Sequence, residues 1–256
     1  MLAQERKDRI IEIISKNKVA KVSELSHLLK ATEATIRRDL DELQENKKIR
    51  RIHGGAILYK PAGKDMSDQE LSVLCPEEKK LIAQKAYEFI DDNDAVIIDS
   101  STTCLELIRL IASGNKKGLS VITNSFKAIF LLIDRQDIQL IHTGGQVKSR
   151  LQCAYGTIAV KMVDGIKVDK CFIGTSGIDP EYGYSDPNLD DCAIKEHMLN
   201  ASKQKFVLAD HTKFNESYIG KFADFCGTID YLITDSLGGG IDREVLEANV
   251  NLILAS

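Results

Sequence analysis

Between residues 95 and 233 the chain repeats one pattern, a short apolar run followed by a helical stretch. The runs are Ala95–Ile98, Leu119–Ile122, Ile138–Ile141, Cys171–Ile173, Phe206–Ala209 and Tyr231–Ile233, and Glu77–Ile90 before them is amphipathic. Strands that are apolar on both faces and separated by helices predict a parallel sheet covered on both sides. At 256 residues the chain is long enough for roughly two domains, so this α/β body leaves the N-terminal stretch to form a second unit.

That division coincides with a change of charge. Residues 1–60 carry 14 Lys/Arg against 9 Asp/Glu, a net +5, whereas the remainder carries −9. A basic segment on an acidic body suggests that the small part meets a polyanion. The longest uncharged apolar run, Ala128–Ile133, is far short of the ~20 residues a membrane span needs, so no membrane partner is expected. The opening residues lack the apolar core of a secretory signal, which predicts a cytoplasmic protein. Cys75, Cys104, Cys153, Cys171, Cys192 and Cys226 include no C-x-x-C pair, so they read as reduced thiols; no metal and no cofactor is expected.

In the basic segment, Ile10, Ile11 and Ile14 form a helical stripe. Ser23 is placed to cap a second helix carrying Leu25, Leu28 and Leu29, and Thr32 a third carrying Ile36, Leu40 and Leu43. The short turn between the last two predicts a helix-turn-helix. With Ile36 and Leu40 facing inward, Glu33, Ala34, Thr35, Arg37 and Arg38 lie on the exposed first turns, where a recognition helix meets base edges. Thr32 and the first amides suit a phosphate, and Asp39 is expected to orient a neighbouring arginine. Residues 47–58 then alternate around Gly54-Gly55 and read as a basic hairpin, or wing, with Arg50, Arg51 and His53 toward the DNA backbone.

Arg6, Ile10, Ile14, the run Thr32-Glu-Ala-Thr35-Ile36-Arg37-Arg38-Asp39-Leu40 and the wing Arg51-Ile-His53-Gly54-Gly55-Ala56 together resemble the N-terminal signature of DeoR-type bacterial transcription regulators.

In parallel sheets ligands sit beyond the carboxyl ends of the strands. Here those ends are polar. The first runs into Asp99-Ser100-Ser101-Thr102-Thr103 and a helix, a combination of hydroxyls, amides and helix N-terminus that suits a phosphate. The next ends in Thr123-Asn124-Ser125, then His142-Thr143-Gly144-Gly145, then Gly174 to Asp179, and the fifth in Asp210-His211-Thr212-Lys213. Lys213 offers a point charge to a phosphate, and Asn124 and Asp179 offer bonds to sugar hydroxyls. Five polar ends on one rim predict a small, anionic, hydroxyl-rich ligand. Asp99–Thr103, Val121–Ser125, Gly144-Gly145, Gly174–Asp179, Ala193 with Lys195, and Asp210–Phe214 also resemble the sugar-phosphate-sensing domain of the DeoR type, a fold similar to ribose-5-phosphate isomerase and CoA transferases. The resemblance implies that the first loop holds the phosphate, that Lys213 and Asp179 approach the ligand, and that Gly144, Gly145 and Lys195 belong to the site. The family often has Gly where this chain has Ser101.

An isomerase needs a carboxylate base beside the sugar carbon. The related isomerases carry a denser carboxylate cluster after the fourth strand than Gly174 to Glu181 provides, though Asp179, Lys195 and Glu196 keep a sugar-phosphate isomerase with an accessory DNA-binding domain as the alternative. The favoured expectation is a non-enzymatic transcription regulator, a repressor of a sugar operon. A winged helix-turn-helix (1–58), a linker (59–76) and a sugar-phosphate-sensing α/β domain (77–256) would bind double-stranded operator DNA as a homo-oligomer, dimer or tetramer, under control of a phosphorylated sugar.

Overall fold

The computed structural model describes residues 2–17, 19–46, 48–52, 54–58, 66–238 and 241–255. These fall into two compact units, one holding the residues up to 58 together with 69–75, the other 66–68 and everything from 76 onward.

The first unit runs α1 (Ala3–Asn17), β1 (Val19–Lys21), α2 (Val22–Leu29), α3 (Glu33–Glu45), β2 (Ile49–Ile52) and β3 (Gly55–Leu58). Ile10 and Ile14 of α1, Leu25 of α2, and Ile36 and Leu40 of α3 are fully buried in one cluster with Ile49, as the helical stripes predicted, except that Leu28 of the second stripe faces solvent. The turn between α2 and α3 starts at Lys30, which takes the left-handed conformation (φ 50°) that ends a helix. Ser23 does not cap α2. The helix starts two residues earlier than that cap would require, at Val22 with Lys21 as the cap residue, and the Lys21 amide donates to Glu24 Oε2 at 3.3 Å. The wing is larger than a hairpin, because β1 pairs antiparallel with β3 and makes a three-stranded sheet in the order β1-β3-β2. Gly55 permits this: a Cβ there would lie 2.4 Å from the Ala20 carbonyl oxygen.

Of the expected linker, residues 59–65 lie outside the described residues and α4 (Asp68–Ser72) occupies part of the rest. The second unit continues with α5 (Pro76–Tyr87), β4 (Ala95–Ile98), α6 (Thr102–Ser113), β5 (Ser120–Thr123), α7 (Phe126–Leu132), β6 (Gln139–His142), β7 (Gln146–Lys148), β8 (Cys153–Tyr155), α8 (Thr157–Asp164) and β9 (Val168–Gly174). It ends with β10 (Gly177–Asp179), β11 (Gly183–Asp186), α9 (Leu189–Asn200), β12 (Ser202–Leu208), β13 (Gly220–Ala223), β14 (Tyr231–Thr234), α10 (Arg243–Glu247) and β15 (Asn251–Leu254).

Among the described residues, seven strands form one parallel sheet in the order β15-β14-β12-β9-β4-β5-β6. Alternate residues of each strand enter opposite cores. Val96 and Ile98 join a cluster with α5, α6 and α7, while Ile97 joins the one built with α8 and α9. The six apolar runs all became strands of this sheet. The seventh strand, β15, was not anticipated, nor were the antiparallel pair β7–β8 and the small sheet β10-β11-β13 that rise from the strand ends.

The order of the sheet fixes where a ligand fits. From β4 the chain builds outward through β5 and β6, then returns to the other side of β4 and builds outward again through β9, β12, β14 and β15. The crevice at the carboxyl ends of β4 and β9 is therefore the topological switch point of the fold.

Candidate functional site

In the first unit, Thr32 caps α3: its Oγ1 accepts from the Thr35 amide at 3.2 Å and lies 2.9 Å from the Thr35 hydroxyl. Glu33, Ala34, Arg37 and Arg38 are exposed and Thr35 half-buried. Glu33 Oε2 accepts from Arg37 Nη2 at 3.1 Å, while Arg38 has no partner among the described residues. Asp39 is buried and does hold an arginine, but from another helix. Arg6 of α1 donates to both its oxygens, with Nη2 2.9 Å from Oδ1. Beside it Lys7 pairs with Glu42 at 2.8 Å, so α1 is clipped to α3 by two ion pairs.

The wing arginine Arg51 turns back toward α3. Its Nη1 pairs with Asp41 and donates to the Arg37 carbonyl at 3.3 Å, and its amide donates to Gln44 Oε1 at 2.7 Å. This differs from a side chain reaching outward. Arg50 is placed in β2 by its backbone pairing with Ile57, and His53 lies outside the described residues.

In the second unit, Asp99 sits just beyond β4. Its carboxylate accepts from the Ser101 amide at 2.9 Å and from the Gly174 amide, at the end of β9, at 3.0 Å. The ammonium of Lys195, from α9, lies 3.5 Å from Asp99, donates to the Gly174 carbonyl at 2.8 Å and pairs with Asp186. Burial pushes the Lys195 ammonium down, but Asp186 and Asp99 outweigh it and hold the group charged, well above the ordinary lysine value. Ser101 caps α6, with Oγ accepting from the Cys104 amide at 3.3 Å. Thr102 and Thr103 are buried in the first helical turn and Ser100 is half-buried.

The other ends are more varied. Asn124 donates from Nδ2 to the Ala154 carbonyl at 3.1 Å, and its buried Oδ1 has no hydrogen-bond partner among the described residues. Gly144 and Gly145 have φ of 66° and 113°; a Cβ on Gly145 would lie 2.5 Å from the Tyr155 carbonyl, so it serves the close approach of β8. Asp179 closes the turn from β10 to β11, accepting from the Glu181 and Tyr182 amides at 2.8 and 3.1 Å. Among the described residues no hydrogen bond or ion pair joins it to Asp99, Lys195 or Lys213, which sets it apart from the cluster at the β4 and β9 ends.

At the end of β12, Asp210 caps a short 3-10 turn, His211–Lys213, and its Oδ2 lies 3.4 Å from Lys213 Nζ. Burial pushes the Asp210 carboxyl up, but Lys213 and Lys79 overcome it and hold the group far below the usual carboxylate range. His211 donates through Nδ1 and its amide to Asp235, at 2.7 and 2.8 Å.

Two charge clusters thus stand at neighbouring strand ends, Lys195 with Asp99 and Asp186 in one, and Lys213 and Lys79 acting on Asp210 in the other.

Comparison with known families assigns both units. Residues 6–62 match a DeoR-like helix-turn-helix domain, and residues 75–236 match a DeoR C-terminal sensor domain. The chain belongs to the DeoR family. This DeoR-family member is 33% identical over 251 residues to YulB, an uncharacterized HTH-type transcriptional regulator of Bacillus subtilis, covering 97% of this chain and 93% of the relative. It is 31% identical over 249 residues to the HTH-type transcriptional repressor GlcR of the same organism, covering 97% and 95%. Among solved structures, a D-ribose-5-phosphate isomerase in complex with phospho-erythronic acid matches with TM-score 0.41 and 19% identity over 54% of each chain.

The DeoR-family chain is a DNA-binding transcription regulator with a sensor domain, and no described helix is long and apolar enough to cross a membrane. Sequence reasoning missed Lys79 in it. That residue sits on an amphipathic helix where a lysine reads as solvated, and only the packing of α5 buries it and directs its charge at Asp210. Asp186 was missed too; it lies in a small strand that carries no periodic signal.

Proposed function

We propose that the protein represses a sugar-uptake or catabolic operon. It binds duplex operator DNA through α3 and the wing, and a phosphorylated sugar at the strand ends of the sensor domain releases it. The domains are residues 1–58 and 77–256 joined by 59–76, the working form is a cytoplasmic dimer or tetramer, and two copies of α3 meet repeated half-sites.

The observation that carries the effector reading is the pair of charge clusters at the switch point. The ends of β4, β9 and β12 are adjacent, about 10 Å across at ~4.8 Å per strand. An anionic group is favoured beside the buried ammonium groups of Lys213 and Lys79 at the end of β12, and the hydroxylated part of the ligand where Asp99, Asp186 and Asn124 supply acceptors. The capped first turn of α6, with Ser100, Ser101, Thr102 and Thr103, adds amides and hydroxyls on the same rim. Gly144, Gly145 and Asp179 contribute by shaping the loops.

Turnover is disfavoured by the same geometry. A proton-transferring base needs a carboxylate presented to substrate, whereas Asp99 and Asp186 are tied to Lys195 and amides, and Asp179 to its own turn. Asp210 is held far too acidic to take a proton near neutral pH.

By linkage, ligand and operator weaken each other's binding, with a typical coupling of ~1–3 kcal/mol. The test is fluorescence anisotropy on DNA from upstream of the protein's own gene, titrated with sugar phosphates and the matching free sugars. Release by one phosphate and not by its free sugar is expected. Tight binding that no sugar phosphate alters would remove the effector reading and keep the DNA reading.

A further inference from the structure

The exposed residues on the first turns of α3 are not equally ready for DNA. Thr35 shares its hydroxyl with the Thr32 cap, Ala34 has no polar side-chain atom, and Arg38 has no partner among the described residues. Arg37 is the one already held, at both ends. Its guanidinium donates to Glu33 at 3.1 Å, and its carbonyl accepts from Arg51 of the wing, which is itself anchored on Asp41. We infer that Glu33 is a positioning residue for Arg37 and thereby a determinant of operator sequence: it points the free edge of the guanidinium at the O6 and N7 of one guanine. The inference rests on the reading that α3 enters the major groove.

The physical argument has three parts. An arginine reads guanine through two parallel N–H bonds from a planar fork. Glu33 engages Nη2 and leaves donors over, because the group carries five N–H bonds. An unheld arginine of this length also finds phosphate oxygens within reach, and those contacts carry no sequence information. Pinning the group from Glu33 removes that freedom and biases it toward the base edge. The same carboxylate repels the phosphates of every sequence alike, so its cost falls on all DNA and its benefit only on the matched site. An exposed pair at this spacing contributes little to stability, which makes a purely structural role a small one.

The test uses the full-length protein and a randomised duplex pool, with base preferences read from the bound fraction. Glu33→Asp keeps the charge at the helix start but shortens the reach to Arg37, so the two roles separate. Glu33→Asp and Arg37→Ala are expected to lose preference at the same base pair, each by roughly tenfold, with preferences elsewhere unchanged and the melting temperature of Glu33→Asp that of the parent. If Glu33→Asp keeps the parent preferences while Arg37→Ala loses one, Glu33 is only a surface charge and the inference is overturned. If Arg37→Ala and Arg38→Ala both bind and select like the parent, α3 is not the groove element, and the DNA reading fails with everything built on it.

Discussion

The two units of this regulator use charge in opposite ways. In the DNA-binding unit Glu33, Ala34, Arg37 and Arg38, the residues proposed to meet DNA, are exposed, and their pairs are surface pairs such as Glu33 with Arg37. In the sensor unit the charged residues at the strand ends are buried and paired, Lys195 with Asp99 and Asp186, and Lys213 with Asp210. Exposed pairs are worth little to folding, so the first unit keeps its charges available for a polyanion. Buried charges are costly unless paired, so the second unit must pair its own charges in order to fold, and the proposed effector would act by disturbing those pairs. The contrast predicts that substitutions at the sensor site change stability first and response second, while those on α3 change binding alone.

The largest expected effect breaks the buried cluster. Lys195→Met leaves Asp99 and Asp186 facing each other without a cation and should cost about 3–5 kcal/mol, read from urea unfolding. A loss within ~0.5 kcal/mol of zero, the range of ordinary surface changes, would show that the cluster is hydrated and that the contrast between the units is false.

Next comes packing at the switch point. A Cβ on Gly174 would lie 2.4 Å from Ser101 Oγ and 2.5 Å from Ser101 Cβ. Gly174→Ala should therefore cost about 1–3 kcal/mol, and most of that should return when Ser101→Gly is added, since glycine still serves as a cap within a few tenths of a kcal/mol. Additive effects in this double-mutant cycle would mean the two residues do not press on each other.

On the other side of the comparison, Arg38→Ala should leave unfolding unchanged within ~0.5 kcal/mol and weaken operator binding by about 1–3 kcal/mol. Parallel loss of stability and binding would place Arg38 in the scaffold. Thr32→Ala removes the cap of α3 and should lower the stability of the first unit by ~1 kcal/mol, with a correspondingly small loss of DNA affinity.

The smallest effect is a pH dependence confined to the sensor unit. The hydrogen bond to Asp235 raises His211 above its ordinary value against the opposing effect of burial. A raised histidine contributes stability that is complete below its unfolded pKa of ~6.5 and is lost as pH rises through the folded value. Burial pushes Asp235 up, but its bonds from His211 bring it below the usual range. Its contribution therefore stands above an unfolded value of ~3.9 and is lost only on acidification. Stability should fall modestly as pH rises from ~6.5, and His211→Asn should flatten that slope. An unchanged slope in the variant would assign the pH dependence to another group.

How much of this was legible in the chain differs between the units. The cap at Thr32, the inward stripe Ile36–Leu40–Leu43 and the exposed first turns of α3 are local, and they were read correctly because helix periodicity and capping need only neighbouring residues. Ser23 is not the cap because the helix begins two residues earlier, directly after the β1 pairing, a contact between Lys21 and Gly55 that local pattern does not contain. That Asp39 would hold an arginine was legible; that the arginine is Arg6 was not, since the partners are 33 positions apart.

In the sensor unit, the apolar runs announced a parallel sheet, because strands buried on both faces leave a continuous apolar signature. β15 escaped because its residues are half-exposed at an edge, with Asn251 and Leu254 open to solvent, so no buried run marks it. The identity of the charged clusters was hidden for a different reason. Lys79, Asp186, Lys195 and Asp210 come from α5, β11, α9 and the end of β12, and nothing in sequence spacing says which of them meet.

By itself, then, the chain determined its two-unit division, the helix-turn-helix and the parallel sheet, since each follows from periodicity, capping and charge along short segments. Only the tertiary structure decided the strand order that puts the switch point between β4 and β9, and which lysine faces which carboxylate. Those outcomes depend on long-range pairing and on burial, and burial is what turns a surface lysine into a group whose charge must be answered by a particular partner.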